Sequence, residues 1–121
     1  MKALIFIISF FLFLISCNKK QDNKVDNLNV EMIIPSIEKN KNDVNFKIKN
    51  GILFFASISF SGYVKEYYKD GALKSSSQYY QGKREGDFLG FYPDKTKWFE
   101  RYYHNGIKVK THKGWFQNGQ Q

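Results

Sequence analysis

One five-residue unit recurs in the second half of the chain at a fixed spacing. Copies at 67–71, 91–95 and 115–119 read YYKDG, FYPDK and WFQNG, and successive copies start 24 residues apart. Each has two aromatic residues, one intervening residue and a turn-type pair. Asp-Gly and Asn-Gly next to strand-forming residues are strong signals for a tight turn, because the turn requires positive φ. The repeat therefore predicts a series of similar β-hairpins.

Segments of equal length between turns support this interpretation. Residues 51–62, 71–82 and 95–106 each follow Asn or Asp, and each has an aromatic residue or a histidine near its end. In this alignment Phe60, Tyr80 and His104 occupy equivalent positions, so we expect His104 to lie on a sheet face.

The segment from Val44 adds a further hairpin signal. Val44, Phe46 and Ile48 alternate with polar residues, which is the pattern of a half-buried strand. Asn50-Gly51 follows and predicts a tight hairpin. The sequence thus predicts an all-β fold, an elongated antiparallel meander of repeated hairpins over 44–121.

The aromatic pairs predict a binding surface. Adjacent residues on a strand point to opposite faces of the sheet. Each pair should therefore place one ring on each face, and the repeat should stack the rings into two ladders. The first ladder is Tyr67, Phe91 and Trp115, and the second is Tyr68, Tyr92 and Phe116.

The stretch GYVKEYYKDGALK at 62–74, followed by Tyr80, Gly82-Lys83 and Gly86, resembles the bacterial variant of the MORN repeat. The resemblance covers about 44–121 and implies an antiparallel sheet of successive hairpins. Many members of that family are exported lipoproteins of unknown role, and some are labelled antitoxin components of toxin–antitoxin systems. The second copy departs from the pattern, since Lys95-Thr96-Lys97 replaces Gly-x-Leu, and we expect a looser turn there.

The N-terminus indicates export. Residues 3–15 form an almost unbroken apolar run, shorter than the roughly 20 residues that span a bilayer. Such a run fits a signal helix within a signal peptide at 1–16. Leu14-Ile15-Ser16-Cys17 resembles a bacterial lipobox, which implies cleavage before Cys17 and its acylation with membrane lipid. Asn18 is not the aspartate associated with inner-membrane retention, and this favours the outer membrane.

Two short segments separate the signal peptide from the repeats. Residues 17–29 are polar and mixed in charge, which is typical of a flexible tether. Within 30–43, the apolar residues from Val30 to Ile34 predict a short strand that ends at Pro35. The polar stretch 36–43 is interpreted as a loop.

The sequence contains few candidates for metal ligands or catalytic residues. Cys17 is the only cysteine, and His104 and His112 stand in no ligand motif, so the sequence indicates no metal and no cofactor. Rings alternating with basic residues, and a net charge of +8, are compatible with nucleic-acid binding. Export removes the chain from nucleic acid and argues against that partner. No catalytic motif is present, so we expect no enzyme.

Three hypotheses follow for function. The first is a membrane-anchored module that binds a protein or an envelope polymer, or acts as a scaffold for it. The second is an antitoxin or immunity protein, from the family resemblance alone. The third is a cell-envelope enzyme, which would need a pocket gathering Glu66, Glu85 or Glu100 with His104.

The C-terminal end predicts an exposed edge. The chain stops at Gln121, just after the third turn, without a return strand. We expect the last strand to be a short edge strand that permits weak self-association.

Overall fold

The computed structural model describes residues 32–121; the predicted signal helix, Cys17 and the tether lie outside them. This part of the chain is all-β, as predicted, and contains no helix that could span a membrane. The strands are β1 Glu38–Asn40, β2 Phe46–Lys49, β3 Ile52–Phe55, β4 Ile58–Ser59, β5 Gly62–Tyr67, β6 Leu73–Tyr80, β7 Lys83–Phe91, β8 Lys97–His104 and β9 Ile107–Gly114.

The strands form two sheets. Strands β5 to β9 are a consecutive antiparallel meander, which confirms the predicted arrangement for the second half of the chain. Strand β1 adds to β5 in parallel and completes a six-stranded sheet with the order β1-β5-β6-β7-β8-β9. Strands β2, β3 and β4 form a separate three-stranded sheet. The repeated meander therefore begins at β5.

The first strand is displaced from its predicted position. Residues 32–37 have no regular structure, and the strand lies at Glu38–Asn40, inside the stretch that was interpreted as a loop. Its side chains are polar, so an apolar pattern could not reveal it. The backbone of the segment is anchored instead, because Tyr63 N–H donates to Ile37 O at 2.7 Å and Lys41 N–H donates to Lys65 O at 2.7 Å.

The three copies of the five-residue unit form the same turn. In each copy the Oδ1 atom of the Asp or Asn accepts a hydrogen bond from the N–H two residues later, at 3.0, 3.0 and 3.1 Å. The acceptors are Asp70, Asp94 and Asn118. Lys95 takes up the position of the glycines with φ of 69°. The expectation of a looser second turn is therefore wrong: the turn is retained and Lys95 adopts a left-handed conformation.

A second kind of turn alternates with the first. Gln81-Gly82 and Asn105-Gly106 have positive φ at both residues, which is typical of a type I′ turn. Gly82 N–H donates to Phe60 O, and Gly106 N–H donates to Arg84 O. Phe60 is therefore the structural counterpart of Arg84, 24 residues later, and not of Tyr80 and His104 as the alignment of equal segments predicted.

The Asn50-Gly51 hairpin forms as predicted, but it buries one face only in part. Phe46 is half-buried, whereas Ile48 is exposed and Val44 lies outside the strand. One buried cluster consists of Leu53, Phe60 and Val64, with Phe46, Phe55 and Tyr79 packed against it, and Phe99 and Tyr103 on β8 are also buried. The cluster around Leu53 joins the small sheet to β5 and β6.

Candidate functional site

One face of the six-stranded sheet carries a cluster of aromatic and cationic side chains. In the register of β7 and β8, Phe88 lies opposite Arg101 and Gly90 opposite Phe99. Because side chains alternate along a strand, Phe99, Arg101 and Tyr103 share this face. We call it the aromatic face, defined by Tyr79, Phe88, Phe99, Arg101 and Tyr103.

Ring contacts connect the aromatic face to Trp98 and Tyr92 beside it. Phe88 meets Phe99 with 4.8 Å between ring centroids at 73°. Trp98 meets Phe99 at 5.2 Å, and Tyr92 lies 5.9 Å from Trp98. Gly90 permits this packing, since a Cβ atom there would lie 2.2 Å from the Phe99 ring. The conformation of the face therefore depends on this glycine.

A groove of about 460 Å³ opens at the β9 end of the aromatic face. Trp98 is 42% exposed and Phe116 is 69% exposed, so both rings are accessible to a ligand. Among residues 32–121, the lining contains basic side chains and no carboxylate. Its residues are Tyr92, Trp98, Phe99, Arg101, His112, Lys113, Gly114, Trp115 and Phe116, and we call it the terminal groove.

A second groove of about 290 Å³ continues across the same face. It shares Trp98, Phe99 and Arg101 with the terminal groove. Its other lining residues are Lys41, Glu66, Lys74, Ser75 and Phe88. The two grooves thus meet at Arg101 and form one path from β5 to β9.

Glu66 is the acidic residue of this path, and two lysines neutralise it. Lys41 Nζ lies 2.9 Å from Oε2 and Lys74 Nζ lies 3.2 Å from Oε1. The hydrogen bond from Lys41 lowers the pKa of the Glu66 carboxyl, burial opposes that effect, and the hydrogen bond from Lys74 lowers it further. Glu66 is therefore ionised at neutral pH, and its charge is compensated.

Of the six rings of the predicted binding surface, three line the terminal groove. These are Tyr92, Trp115 and Phe116. Tyr67, Tyr68 and Phe91 line neither this groove nor its continuation.

Within residues 32–121 no ring pair joins members of either expected ladder. The repeated rings lie at the ends of β5, β7 and β9. Strand β6 lies between β5 and β7, and strand β8 lies between β7 and β9. Strands are spaced about 4.8 Å apart, so alternate strands are about 10 Å apart, which is too far for ring stacking. The prediction of stacked ladders is therefore wrong, because it treated alternate strands as neighbours.

Glu85 and His104 are the predicted acid–base candidates that the structure brings together. His104 Nδ1 lies 2.9 Å from Glu85 Oε1, on the opposite face of the sheet. Glu85 Oε2 accepts a hydrogen bond from Asn105 N–H at 2.7 Å. Ser61 Oγ accepts the equivalent bond from Gln81 N–H at 2.8 Å, 24 residues earlier. Glu85 thus holds a turn, as Ser61 does.

The remaining acid–base candidates are separated from that pair. Glu66 bonds to lysines on the aromatic face, and Glu100 pairs with Lys97, whose Nζ lies 2.6 Å from Oε2. The pair of Glu85 and His104 lines a groove of about 320 Å³ with Tyr80, Lys83 and Asn105, and also lines a second groove of about 530 Å³. In the described range, no three His, Cys, Asp or Glu side chains group as metal ligands do.

Trp98, Phe99 and His112 belong to the site but were not among the predicted ring residues. The alternation of Phe99, Arg101 and Tyr103 could have revealed one side of β8, since period two places them together. Trp98 is less visible, because the register shifts between Gly90 and Phe91 and no simple alternation holds there.

Comparisons with known proteins add no relative. No protein-family model, no curated protein and no solved structure matches this chain.

Proposed function

We propose that the chain is a lipid-anchored binding module of the bacterial cell envelope, and that its aromatic face binds an anionic envelope polymer. The observation that carries this proposal is the terminal groove, which combines exposed rings with basic side chains and has no carboxylate among the described residues of its lining. The anchor is Cys17, on the lipobox-like sequence Leu14–Cys17. The proposed location is the outer membrane.

The rings suit a ligand with flat, weakly polar surfaces. Aromatic faces carry partial negative charge and attract the partly positive C–H bonds of a ring such as a sugar. Trp98 and Phe116 offer such faces at an accessible depth. The groove is open, which fits a polymer that lies across it better than a small molecule enclosed within it.

The charges select an anionic ligand. Arg101 and Lys113 line the terminal groove, and Lys41 and Lys74 line its continuation. Glu66, the acidic residue of the path, is already paired with the two lysines. An approaching anion therefore meets net positive charge along the whole path, which also speeds its association at low ionic strength.

The binding part of the proposal is tested with the full-length protein in detergent and purified cell-wall polysaccharide. Wild-type protein should co-sediment with the polysaccharide, and Phe116→Ala should reduce the bound fraction severalfold. Ile58→Ala is the control, because Ile58 is 73% exposed on the small sheet, away from the groove. Equal binding by both variants would show that the terminal groove is not the binding surface.

The anchor is tested in cells grown with an alkyne analogue of palmitate. The wild-type protein should incorporate the label and fractionate with the outer membrane, whereas Cys17→Ser should do neither. Wild-type protein without the label would exclude the lipid anchor.

A further inference from the structure

The chain contains only two arginines, and the fold brings both onto one aromatic ring. Among its 19 basic Lys and Arg residues, only Arg84 and Arg101 are arginine. The guanidinium carbon of Arg84 lies 4.5 Å from the Phe88 ring centroid, and that of Arg101 lies 5.9 Å from the same centroid. The two charged groups cannot be further apart than the sum of those distances.

Each guanidinium group contacts two aromatic rings. Arg84 also lies 5.3 Å from the Tyr103 ring, and its Nε donates a hydrogen bond to Tyr79 Oη at 3.2 Å. Arg101 lies 4.4 Å from the Phe99 ring. Contact with rings uses the flat faces of a guanidinium and leaves N–H groups at its edge available for an acceptor. In Arg84 these are the Nη groups, because its Nε–H is already bound to Tyr79.

Neither arginine has an acidic partner in the part of the chain that the structure describes. The ion pairs of residues 32–121 join carboxylates to lysines or to a histidine: Lys41 and Lys74 with Glu66, Lys65 with Glu38, Lys97 with Glu100 and His104 with Glu85. The two side chains best suited to bind a planar oxyanion thus have no carboxylate partner within this range, although several lysines also lack one.

Both arginines are half-buried, so each has lost part of its hydration. A charged group in that state gains more from a hydrogen-bonded anion than a fully hydrated lysine does. Arg101 also lies where the two grooves of the aromatic face meet. A ligand that lies along both grooves therefore contacts Arg101, and Arg84 lines a neighbouring groove of about 320 Å³ with Tyr79 and Tyr103.

We propose that Arg84 and Arg101, which both contact the Phe88 ring, form a two-point site for oxyanion groups carried on one polymer chain. The inference rests on the proposed function and names its ligand class: an envelope polysaccharide with repeated carboxylate or phosphate groups. Each arginine binds one group through two parallel N–H···O bonds. A polymer with a single charge engages one arginine, and a neutral glycan engages neither.

The test uses the Nε–H signals of the full-length protein in detergent, since only two arginines contribute. The probes are a short oligogalacturonate, an oligo(glycerol phosphate) and a neutral malto-oligosaccharide. We expect both signals to shift with at least one anionic probe and neither to shift with the neutral one. The anionic probe that binds more tightly identifies the oxyanion. Absence of a shift with both anionic probes would overturn the proposal.

Variants separate this site from a general basic surface. Arg84→Lys and Arg101→Lys keep the charge but lose the planar fork, and each should weaken the binding of the anionic probe about tenfold. Lys47→Gln on the small sheet should leave the affinity unchanged. Equal affinity of all three variants would contradict a role for the arginines.

Failure of the site and failure of the proposed function are distinguishable. If cell-wall polysaccharide does not bind while an anionic probe shifts both signals, the proposed function is wrong and the arginine site stands. If cell-wall polysaccharide binds and neither signal shifts, the arginine site is wrong and the proposed function stands.

Discussion

The hydroxyl of Tyr68 donates a hydrogen bond to the main-chain carbonyl of Phe91, 2.8 Å away. The same bond recurs one repeat later, where Tyr92 Oη donates to Trp115 O at 2.7 Å. Each tyrosine thus connects the end of one strand to the end of the strand two positions further along the sheet. The fold uses the second aromatic residue of the unit as a tie between hairpins.

Removing one of these hydroxyls should destabilise the sheet. Tyr68→Phe leaves the partly buried Phe91 carbonyl without its donor, and we expect the free energy of unfolding to fall by about 1 kcal/mol. Tyr92→Phe should have a similar effect. Tyr67→Phe is the matched control, since Tyr67 is 43% exposed and should give no change. Urea denaturation measures all three, and an equal loss in Tyr67→Phe would show that the ties are unimportant.

Lys95 offers a stabilising substitution. It stands in the left-handed region with φ of 69°, where the other two copies of the turn have glycine at 71 and 119. A residue with a Cβ atom costs roughly 1–2 kcal/mol in that region, and glycine removes this strain. Part of the gain is lost, because glycine loses more conformational entropy on folding. We expect Lys95→Gly to raise the free energy of unfolding by about 0.5–1 kcal/mol. An unchanged or lower melting temperature would contradict this.

Alanine substitutions at Gly82 and Gly106 distinguish the cost of backbone strain from the cost of a packing clash. Both have φ of 80° in equivalent turns. A Cβ atom on Gly82 would lie 2.3 Å from Ile52 Cγ2 and 2.8 Å from Leu53 O, whereas on Gly106 the nearest atom would be 3.8 Å away. Gly106→Ala should therefore show the conformational cost alone. Gly82→Ala should cost about 1–3 kcal/mol more, because it forces the small sheet away from the turn.

Denaturation of both alanine variants, together with the wild type, gives this comparison directly. Equal losses would mean that the small sheet contributes little to the packing around Gly82. A larger loss in Gly106→Ala would contradict the role of the Ile52 contact altogether.

The sequence predicts the turns well because their chemistry is local. Asp70, Asp94 and Asn118 set the turn within a few residues, so a fixed spacing reveals the meander without knowledge of any distant contact. The alignment of Phe60 with Tyr80 and His104 was wrong, because equal segment length does not fix the register between strands.

The site was harder to predict because it depends on strand pairing. Phe88 meets Arg101 only through the register of β7 with β8, and Arg84 reaches the same ring from its own strand. The periodicity of one strand cannot specify its neighbour's register. Strand β1 was missed for a related reason, since main-chain pairing with β5 holds it and its side chains are polar.

Stability should fall in acid through Glu66. Its hydrogen bonds with Lys41 and Lys74 lower its pKa in the folded state. The stabilisation they provide is present above the ordinary carboxyl pKa and is lost as the pH falls through the lowered, folded-state pKa. Glu66→Gln should therefore be less stable than wild type at neutral pH, and the difference should shrink in acid. Urea denaturation at neutral and acidic pH measures it; a constant difference would contradict the assignment.

The exposed edge of β9 gives a salt-dependent prediction. Within residues 32–121 the strand pairs with β8 on one side only, and its eight residues make it longer than the short edge strand expected. Its basic residues Lys108, Lys110 and Lys113 have no acidic counterpart on the strand, so two copies repel when they align edge to edge. We expect weak self-association that strengthens as salt screens these charges, since the screening length falls to about 3 Å at about 1 M ionic strength. Sedimentation over a concentration series should show this self-association. Lys108→Glu should raise association at low salt. Lys47→Glu, the same charge change on the small sheet, should leave association unchanged. A monomer at all concentrations in high salt would exclude β9 as a self-pairing edge.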